Sequence, residues 1–196
     1  TYLWVLFIAH YCTANADTWA SELGVLSKGE PRLVTSLFTR TVPRGTNGGM
    51  SLLGTVASGA GGLFIGVIFW MGSFAIEAQN LDHNSNSYTT IRGNSINNSS
   101  GSSSDSQYPI LVFSLLCGLL GSLVDSILGA TVQATYYSKE RRRIVKLHHA
   151  SELRGHQDKS IVRICGCDIL SNEAVNFVSI FVTMLLSLWM APNVFC

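Results

Sequence analysis

Residues 50–76 read MSLLGTVASGAGGLFIGVIFWMGSFAI and contain no Asp, Glu, Lys or Arg. A helix rises about 1.5 Å per residue, so about 20 apolar residues cross a hydrocarbon core of about 30 Å. This stretch is long enough to do so. Three others share its character. Residues 1–16 and 174–196 are uncharged, and 109–137 carries the single charge Asp125. The whole chain of 196 residues is 13% charged, against about 25% in a soluble domain. The pattern predicts an all-α, polytopic transmembrane bundle: one membrane domain over 1–196 with four spans at about 1–16, 50–76, 109–137 and 173–191.

The first of these stretches is short. The chain opens at Thr1 inside an apolar run, without an initiator Met or a charged segment ahead of it, which reads as a fragment with more helices upstream rather than a signal peptide. Thirteen Lys+Arg against twelve Asp+Glu exclude a nucleic-acid binder working by bulk charge. Five cysteines without regular spacing do not make a disulfide scaffold. Pro43 and Pro109 stand at or just before helix starts, Pro31 lies in a polar loop and Pro192 is expected just beyond a helix end. Gly54, Ser58, Gly62 and Gly66 recur every four residues, a small-residue stripe that lets membrane helices approach closely.

The loops give the orientation. The loop over 17–49 carries Lys28, Arg32, Arg40 and Arg44, and the loop over 138–171 carries a basic run from Lys139 through Arg141, Arg142 and Arg143 to Lys146. The loop over 78–108 holds only Arg92. The basic loops are therefore expected on the cytosolic side and the middle one on the lumenal side. The middle loop is an Asn/Ser tract, expected to be disordered, with overlapping glycosylation sequons at Asn97 and Asn98. The implied setting is an endomembrane or the plasma membrane.

A few polar residues stand where apolar ones are expected. Asp125 lies mid-helix, where a charge costs about 2.5–3.5 kcal/mol and marks a polar interior. Steps of four place Cys117, Gly121, Asp125, Gly129 and Gln133 on one face. Asp17 and Glu22 close the first helix, and Asn172 and Asn176 open the last. Before the second helix, Arg44-Gly45-Thr46-Asn47-Gly48-Gly49 combines a cation, a Gly-rich turn with free N–H groups and a helix N-terminus, a recipe for holding phosphate. Asp17, Glu22, Arg44, Asn47, Asn172 and Asn176 are expected at cytosolic helix ends, and Asp125 with Gln133 in the helix descending to that side. Carboxylates and amides together suit Mg²⁺ shared with substrate phosphates. Cys165-Gly166-Cys167, with His148, His149 and His156, is a weaker metal pattern, more simply read as free thiols. The run from Arg141 to Lys146 is suited to anionic headgroups. No Walker-type, GxSxG, HExxH or GxGxxG motif is present.

ADTWASELG at 16–24, PRLVT at 31–35, VPRGTNGGMS at 42–51, GSLVDSILGATVQ at 121–133 and NEAVN at 172–176 resemble the transmembrane protein 19 family. Its wider family includes bacterial membrane proteins of unknown function and the plant chloroplast phytyl-phosphate kinase. The resemblance implies a polytopic helical protein. Through the plant relative it also implies transfer of a nucleotide γ-phosphate to a prenyl monophosphate. Carried over by motif, the residues concerned are Asp17, Glu22, Arg44, Asn47, Asp125, Asn172 and Asn176. This chain departs from the family in having Ser171 where Asp is frequent and Glu173 where Asn is frequent.

The leading expectation is thus a kinase-like transferase acting on an isoprenoid phosphate at the cytosolic interface, with membrane lipid as its surroundings. Asp17, Glu22 and Asp125 would act as the catalytic, Mg²⁺-holding carboxylates. Arg44, the 45–49 turn, Gln133, Asn172 and Asn176 would bind phosphate, and a nucleoside triphosphate would be the donor. An ion-coupled transporter using Asp125, or a scaffold in which these residues only lock helices together, are the alternatives.

Overall fold

A computed structural model describes residues 2–87, 108–145 and 160–195. Four helices form the body: α1 (Tyr2–Gly24), α2 (Leu52–Ser87), α3 (Tyr108–Val132) and α4 (Asn172–Phe195). Short strands fill the segments between them at one end. β1 (Arg32–Leu33) pairs antiparallel with β2 (Gly49–Met50), and β3 (Thr135–Ser138) lies between β4 (Arg143–Val145) and β5 (Ile161–Cys165). α1 packs along α2, and both lean on α3, which also packs on α4.

The bundle is organised as lipid demands. α4 turns Val175, Ser179, Thr183, Ser187 and Ala191 inward at four-residue steps. On its other face Phe177, Phe181, Leu185 and Trp189 are exposed. Lipid offers no hydrophobic drive for helices to associate, so close fit holds them together, and these inward hydroxyls are satisfied within their own helix. Thr183 Oγ1 donates to the Ser179 carbonyl at 2.8 Å, and Ser187 Oγ to Met184 O at 2.7 Å. The α2 stripe works the same way. A Cβ on Gly54 would stand 3.4 Å from Gly24 Cα, one on Gly62 2.5 Å from Ser114 O, and one on Gly66 2.7 Å from Ser114 Cβ. Farther from the sheets, Val5, Ile8, Ala9 and Cys12 pack on Phe113, Cys117 and Ala191.

Among the described residues three spans, not four, are long and apolar enough to cross a membrane: Leu52–Ser73, Pro109–Val132 and Asn172–Phe195. The expected fourth span, α1, is not among them because Asn15, Asp17, Thr18, Ser21 and Glu22 dilute its second half, and its helix continues past 16 to Gly24. α2 likewise continues past 76 to Ser87, so the first part of the expected 78–108 loop is helical. Asn97 and Asn98 lie outside the described residues, as do Lys146, His148, His149 and His156. Pro192 sits inside α4 rather than beyond it. It removes one i→i−4 bond near the end of the helix, where few bonds remain to be lost.

α3 stops at Val132, short of the expected 137, and its exit becomes sheet. The chain returning from β5 caps the helix. Cys167 N–H donates to Thr131 O at 2.8 Å, and the N–H groups of Ile169 and Leu170 donate to Val132 O at 3.1 Å each. Carbonyls that a helix C-terminus leaves unpaired are satisfied this way. Gly166 (φ +70°) allows the turn, since a Cβ there would collide with the Gln133 carbonyl.

Candidate functional site

At the end of the bundle that carries the sheets, the last turns of α1, the segment from Pro31 to Ser51, the last turns of α3 and the first turn of α4 enclose a cavity of about 490 Å³. Asp17 and Glu22 face it from α1, and Asp125 from α3, with Gln133 just beyond that helix. Arg44, Gly45, Thr46, Asn47, Gly48 and Gly49 line it from the loop, and Asn172 and Asn176 from α4. Residues distant in sequence therefore meet around one space.

Its centre is a pair of carboxylates. Asp17 and Asp125 both line the cavity, one from α1 and the other from α3. Two carboxylates in contact repel unless a proton or a cation lies between them. With its amide oriented to satisfy both partners, Asn176 Nδ2 donates to Asp125 Oδ1 at 3.2 Å and to Asn172 O at 3.1 Å. Ser179, buried one turn further along α4, donates to Asn176 O at 2.9 Å. Gln133 Nε2 donates to Asn172 Oδ1 at 3.3 Å, tying the end of α3 to the start of α4.

Glu22 is exposed on the same cavity. Five residues beyond Asp17, it lies about 140° round the helix from it. Among the described residues no three His, Cys, Asp or Glu side chains gather into a metal-holding group. The expected set of Asp17, Glu22 and Asp125 is therefore a pair with an outlier. A carboxylate pair with neighbouring amide oxygens still fits Mg²⁺, which binds through one or two carboxylates, substrate phosphates and its own waters.

The Gly-rich turn differs from expectation in where its donors point. Thr46 N–H bonds Pro43 O at 3.2 Å, Asn47 N–H bonds Thr135 Oγ1 at 3.1 Å and Gly49 N–H bonds Thr46 O at 2.9 Å. The side chains follow. Thr46 Oγ1 donates to Pro43 O at 2.6 Å, and Asn47 Nδ2 to Ala134 O at 3.5 Å. These N–H groups are committed to the loop and to β3 because the turn must be clamped onto α3. Gly48 (φ +72°) lies so close to that helix that an added Cβ would stand 2.5 Å from Ser126 O and collide with Ala130. Arg44 is left as the turn's exposed cation, and its Nη2 donates to Lys28 O at 3.0 Å. The start of α2 is likewise occupied. Ser51 Oγ accepts from Gly54 N–H at 3.1 Å and donates to Gly24 O at 3.2 Å, capping the helix and fastening it to α1.

Sequence reasoning passed over Ser51, Thr55, Ser122 and Ser126, which also line the cavity. Ser122, Asp125, Ser126 and Gly129 lie at i, i+3, i+4 and i+7, a helical face that flanks the one read from Cys117 to Gln133. Cys117 and Gly121, on that original face, are used for packing. Cys117 is buried, and Gly121 abuts Thr13.

The chain matches the model of the family described as "Integral membrane protein DUF92" over residues 1–184. It belongs to this family. Among its relatives, "Protein PGR" of Arabidopsis thaliana is 36% identical over 181 residues, covering 92% of this chain and 52% of the plant protein. "Uncharacterized membrane protein MJ0933" of Methanocaldococcus jannaschii is 37% identical over 70 residues, covering 35% of this chain and 29% of the archaeal protein. The chain thus spans about half the length of the plant relative. No solved structure matches it. Family and hydropathy agree on a multi-pass integral membrane protein.

Two cysteines of this DUF92 member test the packing of the turn. Cys165 Sγ donates to Asn47 O at 3.5 Å, and burial holds its thiol above the ordinary range despite the Thr135 hydroxyl and the Arg40 charge. Cys167, two residues on, is exposed. The thiolate is the reactive form, so a raised pKa leaves less of it at any given pH. In single-cysteine proteins, maleimide is expected to label Cys167 faster at neutral pH. Labelling of Cys165 is expected to rise only at higher pH.

Proposed function

We propose that this DUF92 protein transfers a phosphoryl group to an isoprenoid monophosphate held at the cytosolic interface, using a nucleoside triphosphate and Mg²⁺. The observation that carries this reading is the convergence of Asp17 and Asp125, from two different helices, on one polar cavity that Arg44 also lines. Bound there, Mg²⁺ would supply charge neutralisation for the phosphates. Asp17 and Asp125 would hold the ion, while Asn176 keeps the Asp125 carboxylate aimed into the cavity. Arg44 would meet the charge that spreads over the transferred phosphoryl oxygens. Asn172, fixed by Gln133, would orient the acceptor.

The resemblance of the sequence blocks to the wider family that includes phytyl-phosphate kinase supports phosphoryl transfer over transport. The basic loops beside the cavity support the cytosolic side, where nucleotides are supplied. The test is an assay of the protein in membranes with geranylgeranyl or phytyl monophosphate and either CTP or ATP, following formation of the diphosphate. Product that depends on Mg²⁺ and on the protein is the expected result. No product with either donor, from protein that is folded and inserted, overturns the reading.

A further inference from the structure

A second concavity, of about 900 Å³, lies beside the first and is opposite in character. Leu26, Phe38, Leu52, Leu53 and Val56 give it an apolar lining, to which Lys28, Glu30 and Arg32 add charge. Met50, Ser51 and Thr55 line both spaces, so polar cavity and apolar groove share a wall. We infer that the groove seats the hydrocarbon chain of an amphiphilic phosphate whose head enters the polar cavity. This rests on the proposed function for the phosphate head and adds where its chain lies.

Position favours this occupant. Leu52 begins both α2 and the stretch of α2 able to cross a membrane, so the groove opens where hydrocarbon gives way to the sheet-bearing end. Leu52 and Val56 are 81% and 62% exposed there. Across the groove, Leu37 and Phe38 adopt left-handed backbone conformations, φ 50° and 61°. That is uncommon for bulky residues. The turn is held by Leu37 N–H to Val34 O at 3.1 Å, Phe38 N–H to Leu33 O at 3.3 Å and Arg32 Nη1 to Phe38 O at 3.3 Å.

Charge leans the same way. Two cations, Lys28 and Arg32, line the groove against one acid, Glu30, and the Lys28 carbonyl is held by Arg44 of the polar cavity. A ligand with an anionic head and an apolar chain meets complementary surfaces along its length. A wholly polar or wholly apolar ligand would leave one of the two unused. The groove's size lies within the range of pockets that bury small ligands.

The experiment uses the whole chain in lipid nanodiscs and a long-chain alkyl monophosphate bearing a diazirine at the far end of the chain. Adducts are mapped by mass spectrometry after illumination. They are expected to concentrate on Phe38, Leu52, Leu53 and Val56. Val56→Trp, which fills the groove, is expected to lower their yield about tenfold, as the loss of a few buried methylenes would. Leu185→Trp, on the lipid-facing side of α4, serves as the control and should leave the yield unchanged. The alcohol of equal chain length should label the groove less, because no head anchors it. Adducts spread over the exposed faces of α2, α3 and α4, or indifferent to Val56→Trp, overturn the inference, as does equal labelling by the alcohol. Labelling needs binding and not turnover. Groove adducts without diphosphate formation would leave the groove standing and remove the kinase reading; diphosphate formation without groove adducts would do the reverse.

Discussion

Gly48→Ala is expected to destabilise the protein by about 3 kcal/mol or more, enough that little folded material accumulates. Two costs combine. A non-glycine residue at φ +72° loses about 1–2 kcal/mol. A methyl group driven into the backbone of a packed helix adds about 1–3 kcal/mol. The atoms it would meet, Ser126 O and the Ala130 Cα, are helical main chain and cannot rotate aside. Against a total stability of about 5–15 kcal/mol this is a large share. Two comparisons isolate the cause. Gly45→Ala shares the left-handed backbone (φ +81°) but finds its nearest heavy atom, Ile144 Cδ1, at 3.7 Å, so it should lose only the conformational part. Gly72→Ala lies in α2 with nothing within 4 Å and should gain up to about 1 kcal/mol of helix propensity. Thermal unfolding in detergent should therefore rank Gly72→Ala above the parent, then Gly45→Ala, then Gly48→Ala far below. A Gly48→Ala protein as stable as Gly45→Ala would mean that the turn does not press on α3.

Asp125→Asn is expected to lower phosphoryl transfer about 100- to 1,000-fold, the usual loss when one preorganised electrostatic group leaves an active site. The same change should leave thermal stability unchanged or raise it. Asn keeps the shape of Asp and removes one of two carboxylates that share the cavity, whose charges are costly to bring together. The opposite movement of the two quantities is the useful readout. A residue that only locks helices together would lose abundance along with activity, whereas a functional carboxylate is destabilising where it stands. Turnover unchanged by Asp125→Asn would separate the carboxylate pair from the reaction.

Much of this architecture was legible in the chain because lipid imposes so plain a rule. Long uncharged stretches announced α2, α3 and α4, and the isolated Asp125 announced a polar interior. Loop charge alone places Asp17, Arg44, Asn172 and Asn176 together, and these four residues line one cavity. α1 reads as a span because its first half is as apolar as one, while its second half lines the cavity. The strands β3 and β5 were invisible for a different reason. Pairing between residues 135–138 and 161–165 is non-local, and basic residues around it hid a short alternating pattern. The bonding of the Gly-rich turn was also out of reach of its composition. Free N–H groups and committed ones look alike in sequence, and only the approach of α3 decides which they are.

The pairing of Asp17 with Asp125 bears on how such a protein comes to be made. A ribosome delivers α3 before Asn176, the amide that reaches its carboxylate from α4, has been synthesised. Asp17, emerging earlier on α1, offers it only a second carboxylate. An acidic side chain is costly among acyl chains. Of the four helices, the one that brings Asp125 its amide is the last to be made.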